Sequence, residues 1–333
     1  MDRQDATTAL ADRTGRPAND PASRVHALLD AELDFDPVAR GGFINHLAMS
    51  LVAIWRLGAT TDDLDRWYRA QTSDGFLVPR PRPDWLAPDS ERIARVGVSA
   101  EVRRRLPALV DSPGVQLFHA VIRLEHAVDA DHSGQVANAL HNWEDHARPL
   151  PEPPAGQGTW SFEQVVDRIG VRARQGGTPG SRRLHEVAVT DWFSAAMADL
   201  RAGPDLLDQV AAAALWVHLE QQTIGTLHLV TGTRAARALS SLLDADDAAR
   251  LAIHTAHDVA AAYVAFGAPA RPDRGDLDQR HTATTIDWDE IAAAAISSGD
   301  AHVAKLVHSA RWELEATGDP LYRYAAALQA GLV

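Results

Sequence analysis

Of the 32 basic residues in this 333-residue chain, one is lysine, Lys305, and the rest are arginine. It lies in "SSGDAHVAKLVHSARW", three residues after His302 and three before His308. A guanidinium does not give up its proton in a protein, whereas a desolvated lysine amine does. A neutral amine can bind a metal, form a Schiff base, act as a base, or add carbon dioxide to become a carbamate. A lysine that merely snorkels from a helix surface would need none of these.

Histidine is the other abundant chemical group, with 15 in the chain. His132, His141, His146 and His281 stand among Asp, Asn, Arg and Thr and are expected to be solvated. His46, His119, His228 and His302 instead stand in apolar, helix-patterned stretches. Burying an imidazole without a partner costs roughly 1–3 kcal/mol. A single buried histidine is ordinarily a core residue bonded to a carbonyl. Four on separate helices point elsewhere, because helical proteins build metal sites from inward-facing side chains of different helices. Imidazole suits iron, zinc, copper and nickel. His302 and Lys305, at i and i+3, share one helix face and can reach one ion. His126, His254, His257 and His308 compete for a place by the same reasoning. Neither HExxH nor the Glu-x-x-His pair of di-iron bundles occurs.

The elements that must carry these residues are helices. Apolar residues recur at three- and four-residue spacing in "FINHLAMSLVAIWRLGA", "GVQLFHAVIRLEHAV", "LLDQVAAAALWVHLEQQTIGTLHLVTG", "DAARLAIHTAHDVAAAYVAFG" and "AHVAKLVHSARWELEAT". Alternating, β-branched runs are almost absent. Loops rich in Pro and Gly punctuate the pattern, as in "RPLPEPPAGQG" and "GAPARPDRGD". "SPGVQ" places Pro113 in a first helical turn. The expected fold is all-α: a flexible tail over residues 1–22, then one large multi-helix domain over 23–333 with any metal site between helices. Trp55, Trp192, Phe193 and Trp216 are candidates for lining a substrate cavity.

Composition narrows the function. A formal net charge of −13 with no basic stripe argues against nucleic acid and an anionic membrane surface. With no cysteine there is no disulfide, iron–sulfur cluster or thiol nucleophile. No apolar run reaches the ~18 residues of a membrane span, and the polar N-terminus does not resemble a signal peptide, so a cytoplasmic location is expected. Oligomeric state is not legible; a homodimer is one option.

Several of these stretches together resemble the questin oxidase family of aromatic polyketide pathways. They are "NHLAMSLVAIWRLGA", "FHAVIRLEHAV", "LHLVTGTRAARAL", "AAAYVAFGAP", "SSGDAHVAKLV" and "GDPLYRYAA", in that order, over residues 25 to the C-terminus. The "SGD-x-HV-x-KL" segment is the most specific. The resemblance implies oxidative opening of an anthraquinone-type ring with O2 as co-substrate. It implies a mononuclear non-haem Fe(II) held by His46, His119, His228 and His302 and by Lys305 as a carboxylated lysine. Four neutral imidazoles and a carbamate would leave one position of an octahedron open. An NADPH-dependent Baeyer–Villiger oxidase of the same substrates is an alternative, although no GxGxxG follows a strand pattern. A non-catalytic helical polyketide-binding protein is another. A zinc hydrolase with five protein ligands would be crowded, since catalytic zinc usually keeps three and a water.

Overall fold

The computed structural model describes residues 20–175, 184–273 and 286–333, together with 275, 276 and 279. Among them are sixteen α-helices and no sheet, only isolated β-bridges. The all-α expectation holds. Residues 1–19 of the expected tail and His281 lie outside the described residues. Pro21 and Ala22, expected in the tail, instead form the first turn of α1 (Pro21–Glu32), capped by Asp20. Proline suits that turn because its missing N–H would have no helical partner there.

Four helices form a closed ring at the centre: α2 (Leu47–Arg56), α6 (His119–Asp129), α12 (Ile224–Ser240) and α15 (Ala301–Thr317). Each packs on the next, α2 on α6, α6 on α12, α12 on α15, and α15 back on α2. Their N-terminal turns meet at one end. Further along, Arg56 at the end of α2 pairs with Asp129 at the end of α6 at 2.9 Å, and His126 of α6 faces His308 of α15. These three helices therefore run the same way.

The outer helices cover the ring. α1 and α3 (Thr61–Ser73) pack on α2, so eight of its ten residues are buried, as expected of a helix apolar all round. α7 (Ser133–His146) covers α6. α11 (Leu206–Gln221) and α13 (Ala245–Ala265) cover α12. α14 (Trp288–Ser298) and α16 (Leu321–Gln329) flank α15.

The entry to α6 departs from the sequence expectation. Pro113 does not begin a helix; α6 starts at His119, and Gln116, Leu117 and Phe118 before it are all left-handed, with φ of 53°, 55° and 65°. A left-handed non-glycine residue costs roughly 1–2 kcal/mol. Tertiary contacts hold the turn. The Gly114 N–H donates to Asp258 Oδ2 of α13 at 2.7 Å, and Phe118 is fully buried against Gly232 of α12. A Cβ at Gly232 would lie 2.5 Å from Phe118 Cβ. Gly232→Ala is therefore expected to destabilise the protein by about 1–3 kcal/mol through overpacking. Urea denaturation would read this as a lower midpoint at unchanged slope.

Candidate metal centre

Each of the four ring helices delivers a histidine from its start. His46 is the N-cap residue of α2, just outside the helix the sequence placed it in. Asn45 seats it: its side chain accepts from Leu47 N–H at 2.9 Å and donates to Glu32 Oε1 at 2.8 Å. His119 is the first residue of α6, and its Nδ1–H donates to Gln116 O of the left-handed turn at 2.5 Å. His228 lies in the second turn of α12, with Nδ1–H donating to Ile224 O at 2.7 Å. His302 opens α15.

The "SGD" motif is the hinge that aims His302. Gly299, at φ 69°, closes α14, where its lack of a Cβ permits the left-handed turn. Ser298 Oγ accepts from Asp300 N–H at 3.1 Å, and Asp300 caps α15 by accepting from the His302 N–H at 2.7 Å. Gln71 of α3 clasps this hinge by donating to Gly299 O at 3.0 Å.

The side chains converge. One ligand atom each from His46, His228 and His302 lies within 4.8 Å of the others. His119 joins them: its Nε2 is 2.9 Å from His46 Nε2, and its ring centroid is 4.2 Å from that of His228. Lys305, one turn along α15 from His302, is fully buried, and its Nζ has no hydrogen-bond partner.

The donor set suits a divalent metal. Because Nδ1 of His119 and His228 is spent on a carbonyl, Nε2 carries the lone pair in both. In His228 that atom is buried without a partner. His46 Nε2–H donates to His119 Nε2 at 2.9 Å, which puts both atoms close enough to reach one ion. Burial, reinforced by the Lys305 charge, holds the imidazoles of His46, His119 and His228 well below the ordinary histidine range. Neutral imidazole is the form that ligates. Burial and then the Arg123 charge push the Lys305 amine down to about 7.

The rival histidines lie elsewhere. His126 and His308 face each other at 5.4 Å in a second buried layer with Glu125 and Arg234. There the Glu125 carboxyl, pushed up by burial, is pulled down to about 2 by Arg234 and His126. His254 lies 3.2 Å from Asp111, and His257 packs edge-on against Phe193. His132 is buried, not solvated; its Nδ1 caps α7 by accepting from Gln135 N–H at 3.1 Å.

A cavity of about 330 Å³ opens on His46 and His302, and its lining includes the apolar Leu47, Phe76 and Leu77 and the polar Gln71 and Asp300. None of Trp55, Trp192, Phe193 and Trp216 lines it. Trp192 and Phe193 pack on each other, Trp216 on Tyr263, and Arg56 covers Trp55. Sequence reasoning missed Phe76, which sits in an irregular segment with no helical period to mark it, and Arg123, one arginine among many.

No known family profile matches the chain, and comparison with curated proteins finds no matching relative.

These groups make the metal-free protein pH-sensitive. Lys305 binds its proton less readily folded, at about 7, than unfolded, at 10.5. Its burial penalty is full below 7 and is relieved as pH rises to 10.5; the depressed histidines add a further loss of stability below about 6.5. The melting temperature of metal-free protein should fall from pH 9 to pH 5. Lys305→Met should raise it at pH 7 by a few degrees and flatten the part between 7 and 9 in calorimetry.

Proposed function

We propose that this protein is a mononuclear non-haem Fe(II) oxygenase that opens, or hydroxylates, a ring of a flat phenolic polyketide of anthraquinone type with O2. The observation that carries the reading is the convergence of His46, His119, His228 and His302 with the chain's single lysine at the foot of a cavity. The resemblance of the surrounding motifs to questin oxidases supplies the reaction class.

Four imidazoles and Lys305, carboxylated or as the amine, would hold the iron. Bound Fe(II) would supply the one-electron chemistry that lets triplet O2 react with a closed-shell aromatic. The protein's own part is placement and charge. Leu47, Phe76 and Leu77 offer an apolar wall for a planar ring, while Gln71 and Asp300 offer polar atoms to its substituents. The converging N-terminal turns favour negative charge, so they would draw a phenolate to the histidine end of the cavity. The buried faces of His119 and His228 keep bulk water from the inner side.

Metal analysis tests this first. Protein purified without oxygen and supplied with iron and bicarbonate should hold about one iron per chain, and Lys305→Arg, equally folded, should hold little. Absence of stoichiometric iron from both would sink the reading. With iron bound, oxygen uptake should depend on added hydroxyanthraquinones. Phe76→Ala should raise KM about tenfold while leaving kcat within about twofold, the signature of lost substrate binding.

A further inference from the structure

A second, much smaller void lies between α1, α2, α6 and α7 and shares no lining residue with the cavity at the histidines. Its wall includes Leu29, Met49, Val52, Arg123, His126 and Gln135, all of them buried. Its volume is about 10 Å³. One water molecule needs roughly that much room, about 10–15 Å³.

The three polar residues of this wall each bring atoms that the protein leaves unbonded. Arg123 Nη2 donates to the carbonyls of Asn45 at 2.9 Å and Pro37 at 3.3 Å, while its Nε and Nη1 have no acceptor among the described residues. Gln135 Nε2 donates to Leu29 O at 2.8 Å and Glu32 Oε2 at 2.7 Å. Those bonds fix the amide's orientation and leave Oε1 with no donor. His126 Nδ1 lies 2.9 Å from Ile122 O and 3.0 Å from Glu125 Oε2. Both are acceptors, so Nδ1 carries the proton and Nε2 is the bare acceptor of the ring. Nε2 also has no partner. Buried polar atoms are rarely left unpaired, and four on the wall of one void point to a shared ligand.

We infer that this void binds one water molecule, which accepts from the Arg123 guanidinium and donates to His126 Nε2 and Gln135 Oε1. The donor and acceptor balance selects the ligand. Water has two lone pairs and two protons, to match two N–H groups and two acceptors. Chloride would suit the guanidinium but set its charge against the two acceptors. A cation would suit the acceptors but be repelled by Arg123. The consequence is mechanical. Pro37 and Asn45 are the two ends of the loop that leads into His46, closed by Asn45 N–H donating to Pro37 O at 2.9 Å. Water on its remaining N–H groups keeps Arg123 on both carbonyls and ties that loop to α6 and α7. The site is formed without the metal centre and stands whether or not iron binds.

A crystal structure of the full-length protein, at mildly alkaline pH and a resolution that shows interior waters, tests this. One peak is expected in the void, within about 2.6–3.2 Å of the Arg123 guanidinium, His126 Nε2 and Gln135 Oε1. No peak there, or one that touches only apolar atoms, overturns the assignment. So does an anomalous signal at that position after a bromide soak, which would make it a halide site. In solution, His126→Leu removes one acceptor, although His126 makes no hydrogen bond to the loop. That variant should exchange the Asn45 amide at least tenfold faster, with the other buried amides of α2 unchanged. Unchanged exchange in a folded His126→Leu overturns the mechanical role. If that variant does not fold, the parent's crystal structure still decides whether water binds.

Discussion

The centre is electropositive before any metal enters it. Four helix starts gather at the histidines, beside a buried amine that has no hydrogen-bond partner among the described residues, and the buried Arg123 guanidinium lies one turn along α6 from His119. Each helix start carries roughly half a positive charge in unsatisfied N–H groups, and burial leaves little water to screen it. That concentration of charge governs the rest. Together with burial, which is the larger cause, it keeps the imidazoles neutral and therefore able to ligate. Burial first, and then the Arg123 charge, biases the lysine away from its ammonium form. It makes a dication tolerable only in the company of an anion, and it favours an anionic partner in the adjoining cavity.

Holding such a site together falls to backbone contacts. His119 hangs from a left-handed turn that is unfavourable in isolation and is pinned by Asp258 and by the fit of Phe118 against Gly232. His228 is locked by a carbonyl of its own helix, His46 by the Asn45 bonds, and His302 by the Ser298–Gly299–Asp300 hinge. Residues at helix starts have free N–H groups and variable approach angles, which lets four helices from distant parts of the chain point at one centre. The second layer, with Glu125 and Arg234 as an ion pair, ties α6 to α12 where the dipoles no longer help.

Much of this was legible in the sequence, for physical reasons. Three-and-four periodicity and the near absence of alternating runs announced the helices. A single lysine beside histidine in an apolar stretch announced an unusual amine. The four histidines read as apolar-context residues do converge, but their spacing could not separate them from His126 and His308, which occupy the same helices one layer further in. Helix starts were misjudged where tertiary contacts override local preference. Pro113 looked like a first turn, yet the left-handed run at 116–118 is stable only because residues more than a hundred positions away support it. His132 looked solvated because its sequence neighbours are polar, and it is buried as a cap. Aromatic residues suggested a cavity wall at Trp55 and Trp216, but bulk without periodicity does not say which void a ring fills.

The cavity and the histidines come from different parts of the same elements. Phe76 and Leu77 belong to a connection, whereas the ligand atoms are anchored by backbone carbonyls and caps on other segments. Walls of this kind can change length and side chain without moving the donors. A lineage carrying this scaffold could therefore exchange one substrate for another by altering a few loop residues, while the ring of helix starts passes unchanged from descendant to descendant.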